Sequence, residues 1–345
     1  MKPPFERNRT VALWLFFVSC TIVGMVALGG WVRLTGSGLS MVDWHVLTGI
    51  VPPLSEGAWD QAFGDYQQTP EFTAINAAMT LDEYRSIYYR EYIHRMAGRI
   101  AGLAVVLPLL YFLIRGTIPW RRSLPYHGIA VLFAFQGVMG WLMVQSGLVD
   151  MPHVSHFRLT LHLLLAIALL GGCLWLGFNH VMSAPPPASA TPSPWTVKLS
   201  SVLLGAVCVQ IALGGLMAGL KAGYVSASFP HMRGQWVPQG LGSLSPWLRN
   251  LLENPLTVHF EHRWFAFVIL IVGLLLWRQV RGDERSLLPL FSALFVTVCL
   301  GQILLGIATI AWGVPIGTAL VHQLAGLSLF AIALFIHHRV LAATR

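Results

Sequence analysis

The chain has 345 residues, of which 55% are hydrophobic and only 10% are charged, and its formal net charge is +8. A soluble globular domain carries roughly 25% charged residues, so this composition cannot supply a water-exposed surface. Disordered, collagen-like, coiled-coil and disulfide-rich secreted classes are excluded too, and the basic residues form no stripe or tail of the kind that binds nucleic acid. The composition predicts an all-α polytopic membrane protein.

Eight apolar segments are long enough to cross a membrane, because a hydrocarbon core of ~30 Å needs about 20 apolar residues per helix. In chain order they cover approximately residues 11–32, 92–114, 126–147, 159–180, 199–220, 258–277, 288–310 and 317–337. An even number of spans puts both termini on one side of the membrane. Twelve of the 22 Lys and Arg residues fall on that side, against only Glu6, Asp283 and Glu284 of the acids. This excess predicts cytoplasmic termini.

Neither a cleavable signal nor an Arg- and Ser-rich transit peptide is evident, so we expect a bacterial inner membrane. Two connections on the external side are long, at residues 33–91 and 221–257. In the first of them, Thr80 and Glu83 have the spacing of a capping box. We therefore predict a short helix that begins after Thr80.

A Pro- and Ala-rich stretch lies in the middle of the chain and predicts a boundary between two halves. The halves would be residues 1–183 and 199–345, joined by a cytoplasmic linker at 184–198. Four motifs recur in the same order in both halves. They are Ala27-Leu-Gly-Gly30 with Ala212-Leu-Gly-Gly215, Glu91-Tyr-Ile-His94-Arg95 with His259-Phe-Glu-His262-Arg263, Gln136-Gly-Val-Met-Gly140 with Gln302-Ile-Leu-Leu-Gly306, and Leu161-His162 with Val321-His322. The repeat predicts two pseudo-symmetric four-helix bundles of parallel topology.

Four of the 13 histidines, His94, His162, His262 and His322, lie on the four even-numbered spans, which all enter from the external side. Each stands in the first one or two turns of its span, so we expect all four at one depth near the external face. Ionisable residues inside a membrane are costly and usually face a partner in the bundle interior. For one isolated histidine, a hydrogen bond to a neighbouring carbonyl would be a sufficient explanation. Four histidines at symmetric positions indicate instead that these side chains are ligands.

Each half offers two good imidazoles, which suits haem iron better than zinc. Zinc requires three or four protein ligands, whereas haem iron takes one or two axial ligands in an apolar cavity between helices. Arg95, Arg99 and Arg263 lie near the external ends of their spans, where haem propionates would pair with them. The alternative for these arginines is snorkelling to the interface. The residues predict one haem site in each half.

The halves differ three residues before the first ligand, where Glu91 stands in one half and His259 in the other. This spacing puts Glu91 on nearly the same helix face as His94. A carboxylate beside a haem edge can move protons or orient a substrate atom or water. Its alternative role is that of a polar first-turn residue favoured by the helix dipole.

The stretch Gly30-Trp-Val-Arg-Leu-Thr-Gly-Ser-Gly-Leu-Ser40, the motif Glu91-Tyr-Ile-His94-Arg95-Met-Ala-Gly-Arg99 and the paired histidines resemble haem A synthase. The resemblance is strongest to the type found in alphaproteobacteria and mitochondria. Residues 69–76 and 79–84 in the first external loop are also typical of that type. The likeness covers essentially the whole chain.

The resemblance implies an enzyme that oxidises the methyl at ring position 8 of haem O to a formyl group, through an alcohol and a geminal diol. The product, haem A, serves terminal oxidases, and haem O synthase is the implied partner. By the same resemblance, His262 and His322 ligate a resident haem b, while His94 and His162 face the substrate or product haem. Glu91 is implicated in the chemistry.

Some family members carry a cysteine pair in the first external loop, which this chain lacks. Its four cysteines, Cys20, Cys173, Cys208 and Cys299, all fall in apolar segments. The electron donor therefore stays open between quinol and a redox protein at the external face. Two alternative functions are a quinol-linked, two-haem b-type electron carrier and a haem transporter or chaperone.

Overall fold

The structure is a computed structural model that describes residues 7–43, 48–149, 151–182, 192–283 and 287–344. These residues form ten α-helices, together with short 3₁₀ and π turns. The helices are α1 (Arg9–Leu34), α2 (Glu56–Gln67), α3 (Leu81–Ile114), α4 (Leu124–Leu148), α5 (His156–Val181), α6 (Pro194–Gly219), α7 (Asn250–Glu253), α8 (Pro255–Val280), α9 (Leu288–Ala311) and α10 (Ile316–Ala342).

Eight of these helices, all except α2 and α7, are long and apolar enough to cross a membrane. The predicted all-α class and the eight spans are therefore confirmed. Many large apolar side chains on the spans stay exposed, such as Leu107 and Leu304. In a bilayer such side chains contact lipid, while the helix satisfies its own backbone hydrogen bonds.

The third helix begins much earlier than the predicted span. The capping box is confirmed, because the Thr80 side chain accepts from the backbone N–H of Glu83 and the Glu83 carboxylate accepts from that of Thr80. The prediction of a separate short helix is wrong, since α3 runs without a break from Leu81 into the span. No glycine or proline interrupts the sequence before Gly98, so nothing ends the helix. His94 consequently lies in the fourth turn of α3.

An aromatic cluster packs α2 against the first turns of α3. Trp59, Tyr66 and Tyr84 are buried in it, and the rings of Tyr66 and Tyr84 stack with centroids 5.2 Å apart. The Tyr66 hydroxyl donates to Glu71 Oε2 at 3.1 Å and accepts from Asn76 Nδ2 at 2.7 Å. Burial raises the pKa of Tyr66, so the phenol keeps the proton that it donates.

The contacts divide the chain into two compact units. The first unit is residues 20–169, and the second unit is residues 1–19 with 170–345. Within the second unit, α6, α8, α9 and α10 form a four-helix bundle in which each helix contacts two of the others. Within the first, α3 packs against α2 and α4. The predicted halves stay a prediction, and most of the linker, residues 183–191, lies outside the described residues.

Candidate functional site

The first histidine pair, His94 on α3 and His162 on α5, lies in the first unit. A Cβ atom built on Gly29 of α1 would stand 3.2 Å from His94 Nε2. A Cβ atom on Gly140 of α4 would stand 3.2 Å from His162 Cε1.

The second pair, His262 on α8 and His322 on α10, lies inside the bundle of the second unit. The two ring centroids are 6.2 Å apart, with an angle of 69° between the ring planes. Here the facing glycines are Gly214 of α6, whose Cβ would lie 3.4 Å from His262 Cε1, and Gly306 of α9, whose Cβ would lie 2.9 Å from His322 Cε1. Both units therefore repeat one arrangement, in which a glycine of a neighbouring helix faces each imidazole.

The close approach of these glycines to the histidines was not predicted from the sequence. A side chain at Gly29, Gly140 or Gly306 would press on the imidazole, because few Cβ atoms approach another atom within 3.4 Å. At Gly214 the distance of 3.4 Å is an ordinary van der Waals contact. The sequence carries two signals of this contact. Gly-Gly recurs in α1 and α6, and glycine recurs at the end of the Gln-x-x-x-Gly motifs of α4 and α9. The sequence associates these glycines with close helix packing but does not say that histidines lie against them.

The donor set of each pair fits a haem. Metal–imidazole bonds of about 2 Å put two imidazole centroids on opposite sides of one metal roughly 6 Å apart, which matches the spacing of His262 and His322. The Nδ1 atoms of His162, His262 and His322 are buried and have no hydrogen-bond partner among the described residues. In the same part of the chain no three His, Cys, Asp or Glu side chains gather into a metal site. Two imidazoles without a third ligand suit haem iron rather than zinc.

Glu91 is buried one turn before His94 and is fully engaged with protein groups. Its Oε2 accepts from the Ser40 hydroxyl at 2.7 Å and from the Met41 N–H at 3.0 Å. Its Oε1 accepts from Arg95 Nη2 at 2.6 Å and from Arg95 Nε at 3.0 Å. The carboxylate therefore joins the segment around Ser40 to α3. Ser40 is a partner that the sequence analysis missed, because it lies on another element.

Arg95 also makes its hydrogen bonds to protein groups. Besides its bonds to Glu91, it donates from Nη2 to the Met41 carbonyl at 2.8 Å and from Nη1 to the Asp43 carbonyl at 3.0 Å. Arg99 lies half-buried one turn further along α3. The predicted propionate contacts of Arg95 and Arg99 stay predictions. The hydrogen bonds described for Arg95 connect it to the segment at Met41 and Asp43.

In the second unit, His259 and Arg263 stand at the positions that Glu91 and Arg95 occupy in the first. His259 and Arg263 are both buried, and Arg263 Nη2 lies 3.2 Å from His259 Nε2. Arg263 Nη1 donates to the carbonyls of Pro230 and His231, each at 3.3 Å. In both units an arginine one turn after position 91 or 259 donates to carbonyls of a connection between helices. Among the residues that the structure describes, only the first unit pairs that arginine with a carboxylate.

Comparison with known proteins gives a match along nearly the whole chain. Residues 12–334 match the sequence model of a family described as cytochrome oxidase assembly protein. The chain is 39% identical to a haem A synthase of Nitrosospira multiformis, over 97% of this chain and 95% of the relative. It is 38% identical to proteins of the same name from Wolbachia pipientis subsp. Culex pipiens, over 95% and 96%, and Rhodopseudomonas palustris strain HaA2, over 99% and 93%.

Proposed function

We propose that this chain, which belongs to the cytochrome oxidase assembly protein family, is a haem A synthase. It is a multi-pass membrane oxidoreductase that converts haem O to haem A. The observation that supports this function best is the pair of histidines in each unit, with a carboxylate three residues before the first histidine in only one of them. A plain electron carrier is not favoured, since relatives named haem A synthase match over almost their full lengths.

In this proposal the two histidine pairs have separate tasks. His262 and His322 hold a resident haem b, which supplies one-electron transfer when it is bound. His94 and His162 hold the haem that is oxidised, so haem O is the substrate and haem A the product of the first unit. The ring spacing of 6.2 Å in the second unit would allow His262 and His322 to hold one iron between them.

Glu91 acts beside the substrate site, and its contacts favour a positioning role. Its carboxylate accepts four hydrogen bonds from Ser40, Met41 and Arg95. Such a network orients neighbouring groups only if every member is satisfied, as the carboxylate is here. We propose that Glu91 and Arg95 fix the external segment next to His94 and so shape the substrate site.

The membrane placement and the partners complete the proposal. The chain resides in a bacterial inner membrane with both termini in the cytoplasm and the haem sites near the periplasmic face, as the distribution of Lys and Arg indicates. The family description links it to cytochrome oxidase assembly. Haem O synthase would supply the substrate, and the electron donor would be quinol or an external redox protein.

The test is haem analysis of the purified protein after expression together with haem O synthase. Mass analysis of extracted haem should find haem b together with haem A or its hydroxylated precursor. In His94→Ala we expect haem b to remain and the oxidised haem to fall at least tenfold. The matched variant His262→Ala should lose haem b. Haem b alone in the wild-type protein, with haem O present in the cells, would instead support an electron carrier.

A further inference from the structure

Three of the four histidines are tied to a neighbouring helix by a glutamine. Gln136 Nε2 donates to the carbonyl of His162 at 3.1 Å, and Gln302 Nε2 donates to that of His322 at 2.8 Å. On α6, Gln210 Nε2 makes the same bond to the carbonyl of His262 at 2.9 Å. Each bond connects the helix that carries the histidine with the helix that carries the facing glycine.

Each glutamine stands four residues before that glycine. Residues four apart lie on one helix face, so the motif Gln-x-x-x-Gly puts both groups beside the same histidine. It occurs as Gln136 to Gly140, Gln210 to Gly214 and Gln302 to Gly306. On α1 the residue four before Gly29 is Met25.

The same glutamines carry a second, unused hydrogen-bonding atom. Oε1 of Gln136, Gln210 and Gln302 is buried and has no partner within the described part of the chain. The Nδ1 atoms of their three histidines are in the same condition. One set accepts and the other donates, and a bond from Nδ1–H to a neighbouring oxygen fixes the tautomer of an iron-bound imidazole and strengthens the ligand. The amide of Gln136 lies beside the ring of its histidine, with its Nε2 3.4 Å from His162 Nε2.

Met25 can supply neither interaction to His94. Methionine has no N–H donor, and its thioether is a weak acceptor. Its methyl Cε packs instead at 3.6 Å from the position of a Cβ on Gly98, one turn after His94. His94 therefore has the facing glycine of the repeat without the glutamine.

We propose that Gln136, Gln210 and Gln302 are positioning residues that keep their histidines on iron, and that His94 is the axial ligand that dissociates. With haem bound in the first unit, an iron that had lost His94 would be open to a diatomic ligand. This inference rests on the proposed function, because that function places a haem between His94 and His162.

The test exchanges the residues at equivalent positions of α1 and α6, which are Met25 and Gln210. The probe is carbon monoxide, added to the reduced, haem-loaded protein. Carbon monoxide binds only iron that can lose a ligand. In the wild-type protein it should bind the first-unit haem and not haem b. Met25→Gln should lower the bound fraction in the first unit by about three- to tenfold, the effect of one hydrogen bond. Gln210→Met should raise the bound fraction of haem b by a similar factor.

Haem content is measured first, so that binding is expressed per haem. If Gln210→Met loads no haem b, Gln302→Met tests the same histidine pair, His262 and His322. Met25→Gln tests the histidine pair of the first unit. Wild-type binding of carbon monoxide in all the loaded variants would overturn the proposal. Haem A in the wild-type extract establishes the proposed function independently, so a loaded, active enzyme with unchanged carbon monoxide binding refutes only the role of the glutamines.

Discussion

At the scale of single residues, the buried pair of Glu91 and Arg95 distinguishes the two units. Both side chains are almost completely buried and meet at 2.6 Å. The second unit uses a neutral acceptor, His259, at the equivalent position. A buried guanidinium without a carboxylate is costly, so removal of one partner of such a pair typically costs about 3–5 kcal/mol. The first unit therefore depends on a charge pair where the second depends on a hydrogen bond.

Glu91→Gln keeps the size of the side chain and removes its charge. We expect haem A formation to fall at least about tenfold, because Arg95 loses its counter-ion and the segment at Ser40 and Met41 loses its anchor. Haem b in the second unit should be retained. The measurement is the ratio of haem A to haem b in the extract.

The matched control is Glu253→Gln. Glu253 also pairs with an arginine four residues away, Arg249, but this pair is partly exposed, with Arg249 half accessible to solvent. Exposed pairs contribute only about 0–1 kcal/mol, so the control should keep wild-type haem A formation. Equal losses in both variants would show that the buried pair has no special role.

At the scale of helices, close contact between a glycine and an imidazole sets the arrangement of each histidine pair. The four contacts bring α1 to α3, α4 to α5, α6 to α8 and α9 to α10. The tightest is that of Gly306, where an added Cβ would lie 2.9 Å from the ring of His322. Overpacking of such a site costs about 1–3 kcal/mol because the ring must move.

Gly306→Ala should therefore lower the haem b content of the purified protein, since His322 is displaced from the position that faces His262. The control is Gly301→Ala on the same helix, where an added Cβ meets nothing within 4 Å. Replacement there should be neutral or favourable by up to ~1 kcal/mol through helix propensity. The reduced-minus-oxidised spectrum gives the haem content of both. Full haem b in Gly306→Ala would contradict the steric argument.

At the scale of the whole molecule, eight spans and the charge distribution determine a topology. The long connection after α6 carries exposed aromatic and apolar residues, among them Trp236 and Val237. The C-terminal end of α10 carries Arg339. The excess of basic residues on the side of the termini predicts that this side lies in the cytoplasm and that the connection after α6 lies outside.

Cysteine labelling checks this topology. Val237→Cys should react with a membrane-impermeant maleimide in intact spheroplasts, because Val237 is exposed on the external connection. Thr344→Cys should react only after the membrane is opened. The native cysteines, Cys20, Cys173, Cys208 and Cys299, are free and lie within spans, so they provide a low background. The reverse labelling pattern would invert the topology.

Much of the fold follows from local features of the sequence. The eight spans come from apolar length, and the start of α3 comes from the spacing of Thr80 and Glu83, because both are determined within a few residues of the chain. The four histidines are recognisable because ionisable groups are rare in apolar segments. The length of α3 was underestimated, since the polar residues before the span are good helix formers with no breaker among them.

What surrounds each histidine was decided by the tertiary structure. Ser40 reaches Glu91 across 51 residues of sequence, and Gly29, Gly140, Gly214 and Gly306 come to face their imidazoles from other helices. Such contacts depend on the rotation and axial offset of one helix against the next. Apolar periodicity does not set these quantities in a membrane, where lipid is as apolar as a neighbouring helix. The sequence alone thus determined the spans and the histidine quartet, while helix packing determined the partners that hold them.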